Sequence, residues 1–366
     1  MSEYKICTKT IMDTTDPDII FDENGVSNHF YNHQKKTNEF NSKRDSLEVI
    51  IKKIKKSSKG QYDCLIGISG GVDSTYVAFL CKKYNLNPLA VHVDNGWNSE
   101  LAIKNIEKVL DKLNIDLYTH VVDWDQFKNL QLAFLKASVP DGEIPTDHMI
   151  ISTLYKKAKE FNIKYIIDGT NLQTESILPK KWGYGYYDLK YIKSINKIFG
   201  KKKIDLIPKM NLLKFFYYTK IIKIESISIL NYLDYNKEKA MDLLINELGW
   251  KYYGGKHYES IYTRFFQSYI LPKKFNIDKR RAHLSNLICS EQLSRDSAIK
   301  LIKEPTYPHE LSINDRDYVI KKLEINLSEF EEIMNEKPKD YEFYPNSDIF
   351  FGKLRLIKKM LNINGI

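Results

Sequence analysis

Between residues 62 and 168, apolar runs of strand length alternate with stretches whose apolar positions recur every three or four residues. Tyr62 to Ile68 is a short apolar run that ends in Ser69-Gly70-Gly71. Val77, Ala78, Leu80, Cys81 and Tyr84 then follow at helical spacing. Pro88 to Asp94 predicts a second strand, closed by Asn95-Gly96, and Leu101, Ile106, Val109, Leu110 and Leu113 predict a helix. Ile115 to Val122 reads as a third strand, Phe127 to Ala137 and Asp147 to Phe161 as helices, and Ile163 to Asp168 as a fourth strand ending in Gly169-Thr170-Asn171. Strands that alternate with helices imply an α/β fold: a doubly wound, mostly parallel sheet with helices on both faces. Ligands of such sheets sit beyond the carboxyl ends of the strands. That rule gathers four segments, Ser69–Thr75, Val93–Trp97, Val139–His148 and Gly169–Glu175.

Outside this stretch the pattern is weaker. Residues 1–45 are polar and show no helical stripe. Asp13 to Asp18 and Asp22 to Gly25 are turn-rich, and Ile19-Ile20-Phe21 is a short strand candidate. Residues 44–59 predict a lysine-rich helix with Leu47, Ile50, Ile51 and Ile54 inward and the lysines as a solvated face. Leu178 to Asp188 mixes aromatics, glycines and lysines, which suits either a loop that covers a substrate or a packing loop. Leu206 to Ile229 predicts core strands and helices, Ser285 to Ile302 a helix, and residues 303–366 short helices and turns. The chain divides into an N-terminal ribbon-like extension (1–45), a nucleotide-binding domain (46–175), an insertion or substrate-covering region (176–245) and a mainly helical C-terminal region that completes the site (246–366).

Composition narrows the class. The chain of 366 residues is 43% hydrophobic and 28% charged, which reads as soluble and globular. Its four cysteines, Cys7, Cys64, Cys81 and Cys289, contain no closely spaced pair. Cys64 and Cys81 fall in apolar patterns as buried thiols, and the usage fits a reducing cytoplasm. The N-terminus does not read as a signal peptide, and no apolar run is long enough for a membrane span. A cytoplasmic protein without a membrane partner is the expectation. The formal charge of +9 suits an anionic partner such as ATP, a nucleotide sugar or RNA, and equally a lysine-rich background.

The turn after the first strand carries the chemistry. Two adjacent glycines let the backbone bend sharply and come close to a ligand. A helix that opens there directs unpaired N–H groups and its positive end at an anion. Ser69, Ser74 and Thr75 add hydroxyls. Asp73 beside a phosphate calls for a divalent cation between them, hence magnesium. The common nucleotide loop has a lysine after its glycines, and none stands here. Ser69-Gly70-Gly71-Val72-Asp73-Ser74 instead resembles the pyrophosphate loop (PP-loop) of the ATP pyrophosphatases, the adenine nucleotide alpha hydrolase-like enzymes. These include NAD, GMP and asparagine synthetases, argininosuccinate synthase and tRNA thiolases. The resemblance implies that Ile68, Ser69, Gly70, Gly71, Asp73, Ser74 and Thr75 hold the pyrophosphate end of ATP while a substrate oxygen attacks the α-phosphorus. It implies further that His92, Val93 and Asp94 lie where adenine binds, and that Gly169, Thr170 and Asn171 touch the nucleotide.

A narrower resemblance, to the N-acetyl sugar amidotransferases, runs from Ile6 to about Ala298. It is carried by Ile6 to Phe30, by Gly169-Thr170-Asn171-Leu172-Gln173-Thr174-Glu175, by Glu247 to Gln267 with Gly254-Gly255-Lys256-His257-Tyr258-Glu259, and by Asp278-Lys279-Arg280-Arg281-Ala282-His283. That family commonly holds a structural zinc with four N-terminal cysteines. Here only Cys7 remains, with Thr10, Ser27 and Phe30 at the other positions, so zinc is not expected. Glu175 joins Asp73 as a magnesium candidate through the resemblance. Lys256, His257 and Arg264, the last expected on one helix face with His257, would neutralise phosphate as pyrophosphate leaves. Asp147 and His148, with Asp141 and Glu143, could bind magnesium or move protons, and Thr146 or Asp147 could equally be a helix cap.

The resemblance implies ATP-dependent conversion of an acetamido sugar to an acetamidino sugar for lipopolysaccharide, other surface polysaccharide or flagellin glycans of the pseudaminic acid kind. No glutaminase cysteine or Gly-x-Cys-x-Gly elbow appears. A separate glutaminase subunit, with a cyclase-like channel subunit, or free ammonia is therefore the expected nitrogen source. A tRNA-modifying enzyme that adenylates a base and a non-catalytic nucleotide-binding regulator stand as alternatives. The chain lacks a recognisable RNA module, so nucleic acid is not the expected partner.

Overall fold

The structure, a computed structural model, describes residues 3–347. Two helices, α1 (Asn28–Lys43) and α2 (Leu47–Ser57), precede the sheet. Five parallel strands, β1 (Cys64–Gly67), β2 (Pro88–Asp94), β3 (Asp116–Val121), β4 (Tyr165–Asp168) and β5 (Glu225–Ser228), lie in the order β3-β2-β1-β4-β5. The crossovers are α3 (Val72–Lys83), α4 (Glu100–Leu113), the pair α5 (Trp124–Lys136) and α6 (Ile144–Glu160), and a longer path through α7 (Leu172–Glu175), α8 (Leu189–Phe199) and α9 (Leu212–Phe216). The chain leaves β1 toward β2 on one side and later returns to β4 on the other. A crevice therefore opens at the carboxyl end of β1, where such sheets bind ligands.

Side chains alternate across the sheet with period two. Cys64 and Ile66, Ala90, and Tyr165 and Ile167 pack toward α2, α3, α4 and α10 (Lys237–Leu248). Leu65, Leu89, Val91 and Ile166 pack toward α6 and the residues after α9. A third and larger core, with Trp97, Phe127, Phe134, Trp182, Tyr262 and Phe266, lies among α5, α8 and the C-terminal helices. These are α11 (Ile261–Phe265), α12 (Leu271–Phe275), α13 (Arg280–Cys289), α14 (Arg295–Lys303), α15 (His309–Lys322) and α16 (Leu327–Asn335). Among the described residues no helix is long and apolar enough to cross a membrane.

Three expectations change. Residues 1–45 do contain a helix. The inward face of α1 is Phe30, His33, Thr37 and Phe40, a stripe at helical spacing whose polar members hide it from an apolar count. Ile19-Ile20-Phe21 forms no strand, and Phe21 makes a single bridge to Ser27. The sheet does not end at residue 175, because β5 comes from the segment read as an insertion. Only Ile227 of β5 is buried, which suits an edge strand and gave no apolar run to find. The part of the expected C-terminal region beyond residue 347 lies outside the described residues.

The N-terminal arm folds around Cys7. The Cys7 thiol accepts backbone N–H groups of Thr10 (3.4 Å) and Ser27 (3.2 Å). Two of the positions that stand for the family's other cysteines, Thr10 and Ser27, thus meet Cys7, but they bring amides and hydroxyls, and Phe30 brings a ring, which do not fit a structural zinc. All four cysteines are free thiols. Arg295 donates to the Cys7 and Thr10 carbonyls, and Arg281 pairs with the buried Asp13 at 3.0 Å and donates to the Ile11 carbonyl. Removing one partner of a buried ion pair strands the other. Arg281→Ala is therefore expected to lower stability by about 3 kcal/mol, read as a shift of the denaturant midpoint at unchanged slope.

Candidate active site

The turn after β1 is built by close backbone approach. Gly70 has φ +83°, and a Cβ there would stand 2.7 Å from the Ala102 carbonyl oxygen in α4. On its other side the Gly70 carbonyl accepts the indole N–H of buried Trp250 at 2.9 Å. Gly71 caps α3, and Ser69 and Ser74 close the loop on itself: the Ser69 amide donates to Ser74 Oγ at 3.2 Å, and that hydroxyl donates to the Gly71 carbonyl at 3.2 Å. Thr75 is buried with no hydrogen-bond partner for its hydroxyl. Gly169 at the end of β4 packs on the start of α3, where a Cβ would lie 3.0 Å from the Asp73 backbone. The result is a rigid cradle at the N-terminus of a twelve-residue helix, suited to phosphate.

Charged groups from later in the chain face this cradle. Asp73 accepts from the Tyr235 hydroxyl and has Lys237 Nζ at 4.0 Å. Glu175 pairs with Lys256 at 3.2 Å. His257 has Glu259 at 3.7 Å and stacks near His283, with ring centroids 5.7 Å apart. Glu259 Oε1 and the Tyr253 hydroxyl would each lie 3.4 Å from a Cβ at Gly71. Burial drives the Lys237 ammonium below its ordinary value, and burial with the nearby Lys256 and His257 drives His283 far below. Burial opposes ionisation of Glu175 and Glu259 as well, yet Lys256 and His257 respectively hold these carboxyls below the usual range. The cradle is thus flanked by Lys237 and Lys256, each set against a carboxylate of the same site.

The four segments expected at one end of the sheet do meet. His92 bonds the Ile68 carbonyl through Nδ1 (2.9 Å) and Asn98 through Nε2 (3.1 Å), so both ring nitrogens are engaged in holding the end of β1 to β2. Asp94 accepts from the Gly96 amide at 2.9 Å and Val93 is buried in the strand. Asn95 donates to Thr146 at 3.3 Å, which joins the β2 end to α6. Thr170 bonds Asp168 at 2.5 Å, and Asn171 caps α7 by accepting from the Thr174 amide at 2.8 Å.

Opposite the cradle lies a group of carboxyls. Asp141 accepts from the Tyr184 amide at 2.6 Å, and burial pushes its carboxyl up to about 6. Glu143 accepts from Gln267 at 2.7 Å and has Lys279 at 3.4 Å. Asp147 is half-buried, and burial with Glu143 and Asp141 nearby raises its carboxyl well above the ordinary value. α13 joins this group to the cradle side, since Lys279 at its N-terminus pairs with Glu143 and His283, one turn on, lies beside His257.

Several expected roles are corrected. His148 has both ring nitrogens occupied: Nδ1 bonds the Tyr186 carbonyl at 2.6 Å and Nε2 accepts the Met210 amide at 3.2 Å, so it carries no mobile proton. Arg264 is not on a helix with His257, which sits at φ +63° before α11 begins. Its guanidinium forks onto Asp315 with two 2.7 Å bonds and is committed there. Neither Thr146 nor Asp147 caps α6, which starts at Ile144 after Glu143. Lys256 and Glu175, read separately, are partners. Among the described residues no three of His, Cys, Asp and Glu could hold a metal by themselves. The 178–188 loop lines a cleft of about 440 Å³ with Lys180, Tyr184, Tyr187 and Tyr341, but no PP-loop residue borders it. Tyr235 and Lys237 stand in a segment that gives no spacing signal, and Tyr253 lay in a quoted block with no role attached. Glu259 and His283 lay in quoted blocks with no role attached.

The family model described as NAD synthase matches residues 43–212, and the model described as LPS biosynthesis protein WbpG-like, C-terminal domain, matches residues 259–360. An uncharacterized protein of Methanocaldococcus jannaschii, MJ1599, is 32% identical over 138 residues, 36% of this chain and 47% of that protein. The tRNA-specific 2-thiouridylase MnmA 2 of Fusobacterium nucleatum is 26% identical over 142 residues, 36% of this chain and 39% of that one. The chain therefore spans less than half the length of these curated relatives. The solved NH3-dependent NAD synthetase of Campylobacter jejuni is 16% identical, with 84% of this chain and 98% of that chain covered, at a TM-score of 0.30. The chain joins a PP-loop region of the NAD synthase type to a WbpG-like C-terminal region.

Two predictions follow from this geometry. Gly70→Ala forces a positive φ and a backbone clash, and should weaken ATP binding about tenfold or more in a calorimetric titration. Asp141 is raised from 3.8 to about 6 on folding, so its protonated form is the favoured one in the fold. The stability it contributes is full below its unfolded value and is lost as pH rises through about 6. Asp141→Asn should flatten the stability profile over that window relative to the native chain, as measured by melting temperature against pH.

Proposed function

We propose that this protein is an ATP-dependent, AMP- and pyrophosphate-forming amidotransferase that converts the acetamido group of an N-acetyl sugar to an acetamidino group. One observation carries the reading. The NAD synthase region supplies the cradle at Ser69–Thr75, and the WbpG-like region supplies Glu259, Lys279 and His283 to the same cleft. A PP-loop that adenylates and a domain of the lipopolysaccharide type share one reaction space.

An amide is a poor electrophile, so its oxygen must first become a leaving group. The acetamido oxygen attacks the α-phosphorus of ATP, the P–O bond to pyrophosphate breaks, and an O-adenylated imidate forms. Ammonia adds to the imidate carbon, the C–O bond breaks, and AMP departs with the oxygen. The N–H groups at the start of α3, with Lys237, Lys256 and His257, receive the charge on the departing pyrophosphate. Magnesium takes one or two carboxylates plus phosphate and water. Asp73 and Glu175 remain partly exposed and fit that requirement; the ion would neutralise phosphate charge. Asp147 takes the proton that the incoming ammonia sheds, and its raised carboxyl pKa suits a proton acceptor. Ammonia comes from a separate glutaminase subunit with a cyclase-like channel, or from solution.

The test is pyrophosphate release from ATP by the pure chain with magnesium, ammonium and a panel of nucleotide-linked N-acetyl sugars, with bulk tRNA as a separate arm. Release driven by one sugar, and a product carrying NH in place of O by mass spectrometry, is the expected result. Release with tRNA alone would overturn the sugar reading and favour base modification. Asp147→Asn should lower amidine formation about a hundredfold while sugar-dependent exchange of labelled pyrophosphate into ATP persists.

A further inference from the structure

The end of the molecule opposite the cleft carries an unusual surface. The chain leaves α9 and continues in a wider helical turn, Tyr217–Ile221. Phe215, Tyr218 and Ile222 point inward, where Phe215 and Tyr218 meet the ring of Tyr155 in α6 at centroid distances of 5.5 and 5.9 Å. The outer face of the same ten residues is apolar too. Leu213 is 80% exposed, Ile221 62%, Phe216 56% and Tyr217 39%. Lysines ring this ridge. Lys214 and Lys220 are on it, Lys223 follows it, and Lys159 of α6 lies over the Tyr217 ring at 5.2 Å. None of these four has a carboxylate partner among the described residues, and the nearby Glu160 is already paired with Lys157 at 2.7 Å.

We propose that this ridge docks on an anionic lipid surface. Two features select lipid over a protein partner. The apolar side chains protrude singly from a convex turn rather than line a groove, so they can enter the acyl boundary one by one while each lysine reaches the headgroups. The rim has unpaired positive charge and no unpaired negative charge, so it complements a surface of uniform negative sign, to which each lysine contributes attraction. The expectation of no membrane partner rested on the absence of a span, and peripheral docking needs none. The placement also has a consequence. Lys164 Nζ bonds the Ile222 carbonyl just before β4 begins, so the ridge lies at the amino ends of the strands and the PP-loop at their carboxyl ends. A docked molecule keeps its cleft open to solvent.

The experiment is co-sedimentation of the full chain with vesicles of phosphatidylcholine alone and of phosphatidylcholine with phosphatidylglycerol, at low and high salt. Binding to the anionic vesicles only, weakened by salt, is expected. The double variant Phe216→Ser, Ile221→Ser should lose about tenfold or more in vesicle affinity, and Lys214→Gln with Lys220→Gln a comparable factor. Both should stay folded with native ATP affinity, since these side chains lie away from the cleft and the one that reaches a buried ring, Lys214 over Tyr218 at 5.9 Å, keeps part of its aliphatic stem as glutamine. Absence of anionic-vesicle binding by the native chain would overturn the proposal, as would equal binding by the folded variants. A concentration-dependent dimer in sedimentation velocity that Phe216→Ser abolishes would assign the face to a second copy and overturn it as well. Because the readout is vesicle binding, its failure leaves the amidotransferase reading untouched.

Discussion

The site depends on how closely the backbone can approach itself at Gly70. Three elements meet there: the turn after β1, the first turn of α4 at Ala102, and Trp250 beyond α10. Only a residue without Cβ allows the α4 carbonyl to come so near, and only the left-handed φ points the following amides outward at the start of α3. The indole hydrogen bond then fixes the carbonyl that would otherwise compete for those amides. The anion cradle is thus a by-product of tight packing, and it needs no charged side chain of its own. This accounts for a loop with no lysine: its cations arrive from elsewhere, on Lys237 and Lys256, and are held by Asp73 and Glu175.

That division of labour shapes the electrostatics of the cleft. One wall mixes cations with ionised carboxylates and favours a polyanion once the carboxylates are screened. The other group holds Asp141 and Asp147, two carboxyls that burial has made reluctant to ionise. Pairs of environments that push acid groups in opposite directions are how one site runs both charge stabilisation and proton transfer near neutrality. Lys279 pairs with Glu143 at 3.4 Å, and Asp147 has no such ion pair among the described residues.

Much of this was legible in the sequence. The alternation from Tyr62 to Asp168 yields the three central strands, which must be apolar on both faces, and also β3, an edge strand whose residues are at most half-buried. β5 falls within the Leu206 to Ile229 stretch read as core strands and helices, but Glu225-Ser226-Ile227-Ser228 offers a single buried position, so nothing marked its bounds. Helix α1 escaped because its inward stripe includes His33 and Thr37, polar groups that pack without advertising themselves. Local chemistry identified the cradle, since Gly-Gly before a helix has few uses. Long-range pairing was invisible. Nothing near Arg264 announces Asp315, and nothing near His148 announces the Tyr186 carbonyl and the Met210 amide, so two well-typed residues were read as chemistry when they hold the fold.

The C-terminal region is not an appendage. Asn98 forms a bridge to Ser260, the Ser99 amide donates to the Glu259 carbonyl at 2.8 Å, and the Ile261 amide donates to the Trp97 carbonyl at 2.9 Å. These backbone bonds stitch the WbpG-like region to the loop that leads into α4, the helix that presses on Gly70. A shift of the loop over residues 254–260 therefore acts on α4 and on the cradle together. Glu259, whose carboxyl oxygen would lie 3.4 Å from a Cβ at Gly71, is therefore tied to the cradle by its backbone as well as by its side chain, and no part of the loop can move without the turn after β1 feeling it.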